Sequence, residues 1–422
     1  MRVDPRLLAA DYAAVGEVVS PGEERLASRF PGADLSRQPV HTAYVPASAV
    51  TGDVAQRWGA AALTALDINA PTAETLALSI GFDKAATAAV WPLIRSKLER
   101  DPIEDLRIDL EDGYGDRGDE AEDADVVTAV TALARAAVEG TAPPFWGLRF
   151  KSLEAATRAR GLRTLDLALG SALSVGPLPA GFVVTLPKVT TTEQVAGMVE
   201  ACARLERAYG LDDRRLRFEI QVETPQAILG VDGEAPIARW IQEADGRCSG
   251  LHFGTYDYTA ALGIAAAYQS MEHPVADHAK AVMALAAAGT RVRISDGSTN
   301  VIPVGDEAAV HAAWALHARL VRRHLERGFY QGWDLHPAQL PTRYLSTYLF
   351  FRDGLEDVLQ RLHRYVTGNE SGGVLDEPAT AQALATFVRR GIHCGAVTLD
   401  EVQSRAGFGF DILDNLAARR LG

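Results

Sequence analysis

The sequence lacks long hydrophobic runs, has few cysteine and aromatic residues, and contains fewer basic than acidic residues. No run of about 18 apolar residues occurs, so the sequence predicts no transmembrane helix. The 42 Lys and Arg residues against 55 Asp and Glu residues give a net charge of −13. This charge argues against a nucleic-acid partner, because neutralising phosphates requires a basic surface. A small anionic substrate stays compatible with this net charge, since a bound cation reverses the sign of the electric field in its own site.

The cysteine content and the N-terminus indicate a cytoplasmic protein. Cys202, Cys248 and Cys394 are too few and too far apart for a disulfide framework or for paired metal ligands. We expect them to be small buried side chains. The N-terminal residues MRVDPRLLAADY contain two acids and no apolar core, so they predict no secretory signal.

Strand-like apolar runs alternate with Ala-rich helical segments from residue 41 to about residue 365. Helical spacing is clearest in 193–209 and 307–325. The candidate strands are 41–46, 106–110, 145–150, 182–187, 217–222, 250–254, 292–295 and 332–337. Eight such repeats predict an α/β fold of the (β/α)8 TIM-barrel type. An open doubly wound sheet would also alternate in this way, but eight regular repeats favour closure.

The barrel is expected to carry helical additions at both ends. The predicted division is an N-terminal helical extension at 1–40, a barrel at 41–366, and a linker with a C-terminal helical cap at 367–422. The linker is the Gly-rich, acidic segment TGNESGGVLDEP. The cap could act as a lid over the barrel mouth or pack at a subunit interface, and the two interpretations are compatible.

Acidic residues stand at the ends of three predicted strands. Glu223 closes RFEIQVETP, Asp257 lies in LHFGTYDYTAALG, and Asp109, Glu111 and Asp112 lie in RIDLEDGYGD. The carboxyl ends of strands face the side of an α/β fold that carries its chemistry. Carboxylates from different strands can share a hard cation, so Glu223 and Asp257 predict a site for Mg²⁺ or Mn²⁺. Capping of the following helix is the alternative for each.

Seven segments in register resemble the citrate lyase β-subunit and malyl-CoA lyase group of the HpcH/HpaI aldolase superfamily, with features of malate synthase. They are DLEDGYGD, GLRF, TLPKV, VETPQAI, GLHFGTYDYTAALG, ISDGSTNVIPVGD and GFYQGWDLHPAQL. The resemblance implies a Mg²⁺-dependent, homo-oligomeric TIM-barrel lyase or aldolase. Such an enzyme makes or breaks a carbon–carbon bond of a 2-oxo or 3-hydroxy acid through an enolate. The first strand is followed by ASAVTG, without the arginine that helps hold CoA in the lyases, so the need for CoA stays open.

The resemblance also implies catalytic roles for residues at matching positions. Arg149 is a candidate catalytic and substrate-binding residue, because a guanidinium suits a carboxylate or an enolate oxygen. A salt bridge to Asp109 or Glu111 is the alternative. Glu111 and Asp112 are candidate catalytic acids that line the metal site or act as a base. A turn cap is the alternative for Asp112.

The remaining candidates lie at other strand ends and in the linker. The predicted substrate-binding set is completed by Lys188, Gly254, Thr255 and His336. Lys188 would give a point charge to the substrate or support Glu223, and His336 would orient a ligand or satisfy a backbone carbonyl. Asp376, in a segment that resembles the C-terminal element of the lyases, matches the acid that assists proton transfer in an adjoining subunit's site. A helix N-cap is its alternative.

Other readings of the sequence remain open. The segment GYGDRG (113–118) follows the dinucleotide-binding spacing, but the surrounding acids would repel a pyrophosphate. A malate-synthase-like condensing enzyme or a thioester hydrolase could use the same metal site. A non-catalytic barrel that binds a small anion is the alternative from a different class.

Overall fold

A computed structural model describes residues 6–368 and 377–419, and within them eight parallel strands alternate with helices. The strands are β1 (His41–Pro46), β2 (Asp105–Asp109), β3 (Phe145–Arg149), β4 (Phe182–Leu186), β5 (Phe218–Val222), β6 (Cys248–Phe253), β7 (Arg293–Ser295) and β8 (Gly332–Asp334). They pair in the order β7-β6-β5-β4-β3-β2-β1-β8. Every pairing is parallel, as helical crossovers require.

Two backbone hydrogen bonds join the segments at the ends of β7 and β8. The amide of Asp296 donates to the Gln331 carbonyl at 2.9 Å, and the amide of Trp333 donates to the Gly297 carbonyl at 3.1 Å. The sheet is thereby nearly closed on itself. The predicted (β/α)8 barrel is confirmed.

Helices surround the barrel and extend it at both ends of the chain. They are α1 (Ala9–Arg29), α2 (Val54–Asn69), α3 (Ala73–Ile80), α4 (Lys84–Arg100), α5 (Asp119–Val138), α6 (Arg158–Val175), α7 (Thr192–Tyr209), α8 (Pro225–Ile228), α9 (Pro236–Glu243), α10 (Thr255–Ala261), α11 (Pro274–Ala287), α12 (Glu307–Glu326), α13 (Leu340–Arg352), α14 (Leu355–Thr367), α15 (Pro378–His393), α16 (Leu399–Ala406) and α17 (Phe410–Ala417). Helix α7 shows how the sequence sets such bounds. It begins at a capping box of Thr191 and Gln194 and ends at Gly210, whose φ of 65° is left-handed.

All eight predicted strands are present, with ends shifted by at most three residues. The largest shift is in β8, which ends at Asp334 where the pattern predicted an end at residue 337. The Gln339 side chain accepts hydrogen bonds from the amides of Leu335 and His336 at 2.8 and 3.1 Å. These bonds turn the chain into a short 3₁₀ helix, Pro337–Gln339.

The hydrophobic interior is divided into two clusters. The first lies between the outward faces of the strands and the helices that follow them, with Ile108, Leu148 and Val184 among its members. The second joins α2–α4 to α12–α17 around residues such as Trp314. Trp58 of α2 packs against both clusters. The helical additions therefore form a second core beside the barrel.

The C-terminal helices contact the amino end of the barrel. An Arg389 nitrogen donates to the Leu35 carbonyl at 2.8 Å, and the Arg390 guanidinium lies 3.6 Å from the centroid of the Tyr330 ring. Leu35 precedes β1 and Tyr330 precedes β8, so α15 lies at the end opposite the acidic strand ends. The described C-terminal helices thus do not form the suggested lid over the carboxyl-end mouth of their own barrel. Asp376 lies outside the described residues.

Two expectations about composition can be compared with the structure. Cys202, Cys248 and Cys394 are each buried and unpaired, as expected. None of the helices in 6–368 and 377–419 combines the length and the apolar character that crossing a membrane requires.

Candidate functional site

Four carboxylates and one lysine meet at the carboxyl end of the barrel. The Lys188 ammonium lies 2.8 Å from an oxygen of Asp257, 3.0 Å from one of Asp112 and 3.3 Å from one of Glu111. The backbone amide of Lys188 donates to Glu223 at 2.7 Å. The structure therefore brings together all five of these sequence-predicted residues, which follow β2, β4, β5 and β6.

Lys188 holds these contacts from a left-handed backbone conformation. Its φ is 52°, a backbone angle that residues other than glycine adopt at a cost of order 1–3 kcal/mol. Burial acts to lower its pKa, but the charges of Glu223 and Glu111 and the hydrogen bond to Asp257 raise the pKa overall. Lys188 is therefore a fixed positive charge among the carboxylates.

Glu223 is almost fully buried, and both of its oxygens accept hydrogen bonds. Besides the Lys188 amide, the Gln221 side-chain amide donates to it at 2.5 Å. Burial raises the pKa of Glu223 to about 8, and the negative charges of Glu111 and Asp257 add to this against the opposing charge of Lys188. Gly254 keeps the space beside it open, because a Cβ there would lie 2.5 Å from the Glu223 Cβ.

Glu111 and Asp112 are adjacent but differ in their ionisation. Burial raises the pKa of Glu111 to about 7, against the opposing charges of Arg149 and Lys188. Burial also acts to raise the pKa of Asp112, but Lys188 and a hydrogen bond with Glu111 lower it overall. Near neutral pH, Glu111 can exchange a proton while Asp112 stays ionised.

Arg149 makes both of the salt bridges that the sequence left open. Two of its nitrogens lie 2.7 Å from the two oxygens of Asp109, and a third lies 3.2 Å from Glu111. Its guanidinium lies over the Tyr44 ring, 4.9 Å from the centroid. Only the edge that faces Glu111 and Gln221 is directed toward the carboxylate cluster. Substrate contact by Arg149 stays a prediction that concerns this edge.

Thr255 contributes an unused polar group next to Gly254. Its hydroxyl is buried and has no hydrogen-bond partner in the described part of the chain. A Cβ at Gly297 would lie 2.2 Å from this hydroxyl, so the absence of a side chain at position 297 makes room for it. Thr255 therefore presents a hydroxyl that a ligand could satisfy.

His336 has a structural role, but it caps a backbone amide and not the backbone carbonyl that the sequence suggested. Its Nδ1 accepts a hydrogen bond from the Ala338 amide at 3.2 Å and caps the 3₁₀ helix after β8. The ring is half-buried, and burial lowers its pKa. A contact with substrate stays a prediction for the other ring nitrogen.

The sequence reasoning missed a charged network inside the barrel. Arg107 makes ion pairs with Asp105 and, at 2.8 Å, with Glu219. Nε2 of His252 lies 3.0 Å from Glu219 and donates to that carboxylate. The sequence does contain a signal for this network. Polar residues alternate with apolar ones in DLRID and FEIQV, and such alternation places the polar residues on one face of each strand.

An aromatic pair separates this network from the carboxylates above it. The rings of Tyr44 and Trp333 lie 4.6 Å apart between centroids. Beyond the network, at the amino end, a cavity of about 420 Å³ is lined by residues that include Arg107, Glu219 and Arg293. We call the Tyr44–Trp333 pair the aromatic floor of the site.

The donor chemistry of the carboxylate cluster fits a hard divalent cation. Within the described ranges, no group of three or more His, Cys, Asp or Glu side chains is arranged to hold a metal ion. The carboxylates of Asp257, Asp112 and Glu111 are instead joined through the Lys188 ammonium. Two of the four acids, Glu111 and Glu223, have a pKa that is raised mainly by burial, and neighbouring carboxylates add to the rise. Carboxylate oxygens are the ligands that Mg²⁺ takes, so Glu223 and Asp257 are the residues that would hold it.

Comparison of the sequence with family models gives one match that spans nearly the whole chain. The model described as "Domain of unknown function (DUF6986)" matches residues 19–421. The chain belongs to this family. No curated protein matches the DUF6986 chain in sequence.

Solved structures with a similar shape share little sequence with the DUF6986 chain. A Haloferax volcanii malate synthase in a magnesium and glyoxylate complex is 12% identical, with 90% of this chain and 97% of that chain covered and a TM-score of 0.49. The protein CitE from Mycobacterium tuberculosis, in complex with magnesium, acetoacetate and coenzyme A, is 17% identical, with 86% and 100% covered and a TM-score of 0.46. The citrate lyase β-subunit from M. tuberculosis with oxaloacetate and magnesium is 18% identical, with 74% and 98% covered and a TM-score of 0.41. These values are too low to assign an activity to the chain.

Proposed function

We propose that this protein is a Mg²⁺- or Mn²⁺-dependent enzyme that makes or breaks a carbon–carbon bond of a 2-oxo or 3-hydroxy carboxylic acid. The observation that carries the proposal is the meeting of Glu111, Asp112, Glu223 and Asp257 around Lys188 at the carboxyl end of the barrel. The motif resemblance to the lyases supports the same reaction class from the sequence.

The proposed metal ligands are Glu223 and Asp257. When bound, the cation supplies Lewis-acid polarisation of the acid's carbonyl group. Because the Lys188 ammonium lies 2.8 Å from Asp257, a cation at that carboxylate competes with it for the same oxygen. Lys188 then acts as a second positive charge beside the bound acid.

Three further residues are assigned roles by their position. The edge of Arg149 that faces Glu111 and Gln221 binds the carboxylate of the substrate, while Asp109 and the Tyr44 ring hold the guanidinium in place. The Thr255 hydroxyl donates to a substrate oxygen. Glu111, whose pKa is raised to about 7, accepts a proton from the α-carbon in condensation and returns it to the enolate in cleavage. Asp112, whose carboxylate lies 3.0 Å from the Lys188 ammonium, supports that charge in place of the catalytic role expected from the sequence.

Substitution of Glu223 by Gln tests the metal assignment. The variant keeps the size of the side chain but removes its charge, so we expect it to lose Mg²⁺ binding and metal-dependent turnover while it stays folded. Calorimetric titration with Mg²⁺, turnover of pyruvate, oxaloacetate and glyoxylate with and without acetyl-CoA, and circular dichroism measure the three properties. Glu193→Gln, in the exposed first turn of α7, is the matched control. Full activity of Glu223→Gln contradicts the proposal.

The same assays separate the alternative activities. Consumption of a thioester without carbon–carbon products favours a hydrolase. Tight binding of an acid with no turnover in the presence of Mg²⁺ favours a non-catalytic binder. A structure with Mg²⁺ and one of these acids would show which oxygens face the cation, and thereby the substrate class.

A further inference from the structure

The first helix of the chain is exposed along its whole length. None of the 21 residues of α1 is buried. Its apolar side chains face solvent, with exposed fractions of 56% for Tyr12, 62% for Val15 and 80% for Val18. A single helix of this length is only marginally stable in water, and an apolar surface of this extent marks an interaction site.

The apolar residues of α1 follow the repeat of a coiled coil. They recur in alternating steps of four and three residues along one face, and this spacing is typical of the seam between two paired helices. The seam consists of the N-cap residue Leu8 and of Tyr12, Val15, Val19, Gly22 and Leu26 in α1. Pro21 lies off this seam. The spacing therefore indicates that the partner is another helix.

The seam is complementary to itself when two copies run antiparallel. With Val15 set opposite Val19 of the second copy, Leu8 lies opposite Leu26, and Tyr12 lies opposite Gly22. A large side chain therefore meets the smallest one at both ends. A parallel pair would set Tyr12 against Tyr12 and Gly22 against Gly22, with crowding at one end and a void at the other.

Charges beside the seam agree with the antiparallel register. In this register Asp11 lies beside Arg25 of the second copy, and the two-fold axis repeats the pair at the other end. Asp11 belongs to the first turn of α1. The seam and its flanking charges thus specify the same partner.

We propose that α1 is a dimerisation arm that forms an antiparallel two-helix coiled coil with α1 of a second copy of this chain. The base of the arm is fixed to the barrel. The Gly32 amide donates to the Gly289 carbonyl at 2.9 Å, and its carbonyl accepts from the Arg291 amide at 3.1 Å, in the segment before β7. The dimer joins two barrels through their amino-end sides and does not depend on the proposed activity.

The molar mass in solution tests the arm directly. Multi-angle light scattering is expected to give a dimer for the unmodified chain and a monomer for Val15→Glu, since a charge in the seam loses its apolar contacts. Ala14→Glu adds the same charge to an exposed position beside the seam and is expected to stay dimeric. A monomeric unmodified chain, or a dimer that Val15→Glu leaves intact, overturns the proposal.

A charge exchange tests the register. Asp11→Arg places two arginines side by side and is expected to weaken the dimer, whereas Asp11→Arg combined with Arg25→Asp is expected to restore it. Restoration distinguishes a direct pair from a folding defect. Failure of the double variant to restore the dimer overturns the antiparallel register.

Disulfide cross-linking tests the orientation, and the three native cysteines are buried and do not interfere. An equal mixture of Leu8→Cys and Leu26→Cys chains is expected to form a disulfide between the two different chains. Leu8→Cys alone is expected to stay uncross-linked, because the two copies of position 8 lie at opposite ends of the pair. Efficient cross-linking of Leu8→Cys to itself overturns the antiparallel arrangement.

Discussion

At the scale of single residues, buried charged groups depend on partners that fix their protonation. Arg343 is fully buried and pairs with Asp334 at 3.0 Å. One of its nitrogens also lies 2.8 Å from Nε2 of His324, whose Nδ1 faces the Phe329 carbonyl. A neutral His324 with its proton on Nδ1 satisfies both contacts, because it donates to the carbonyl and accepts from the guanidinium.

Protonation of His324 is therefore expected to oppose folding. Burial, together with the charge of Arg343, lowers the pKa of His324 to about 3 from its usual 6.5. Below pH 6.5 the unfolded chain binds a proton that the folded chain does not, so stability falls as the pH decreases toward 3. From this residue we expect a loss of about 2 kcal/mol between pH 6.5 and pH 5.

The measurement compares the free energy of unfolding at pH 7.5 and pH 5 in urea. His324→Gln keeps one donor and one acceptor but does not titrate, so its stability should fall less over this interval than that of the unmodified chain. Equal pH dependence in the two proteins contradicts a neutral His324 in the folded state.

At the scale of elements, the barrel requires close contact between neighbouring strands. Gly147 in β3 lies against β4, and a Cβ at this position would be 1.7 Å from the Val183 carbonyl oxygen. No rotamer change relieves such a clash, because the position of a Cβ is fixed by the backbone that carries it, and the Val183 oxygen belongs to the backbone of β4. The two strands would have to separate.

Gly147→Ala is therefore expected to destabilise the protein by more than about 3 kcal/mol, seen as a lower midpoint of denaturant unfolding. Gly197→Ala, on the exposed face of α7 with no atom within 4 Å of the added Cβ, is the matched control. It should be neutral or stabilise by up to about 1 kcal/mol, since alanine favours a helix interior. Similar midpoints for the two variants contradict the close approach of β3 and β4.

The elements that the sequence predicts best are those defined by periodicity. Apolar runs such as FVVTL located the strands, and the order of the strands placed Glu223, Asp257 and Lys188 at one mouth. Partners inside the barrel depend on the register between strands distant in sequence, as in the Arg107–Glu219 pair. No local pattern specifies that register. For the same reason, the pairing of Arg149 with Asp109 could not be assigned from the sequence before the register of β2 and β3 was known.

At the scale of the whole molecule, the two hydrophobic clusters are joined through Trp58 and should unfold together. Leu359 of α14 is fully buried in the second cluster, which contacts the first through Trp58. Leu359→Ala removes buried apolar atoms and is expected to lower stability by about 3 kcal/mol.

Thermal unfolding followed by tryptophan fluorescence and by far-UV circular dichroism measures this effect. We expect both signals to shift to the same lower temperature in a single transition. Leu285→Ala, at a side chain that is 79% exposed on α11, should leave the transition in place. Two separated transitions would mean that the second core unfolds independently of the barrel.

The aromatic floor affects how a ligand can enter and leave the barrel. Tyr44 and Trp333 are both buried, and their rings lie against each other at a tilt inside the barrel. Side chains fill the interior of an eight-stranded barrel of this kind, so it forms a packed core and not a pore. A molecule that reaches the carboxylates must depart by the way it arrived.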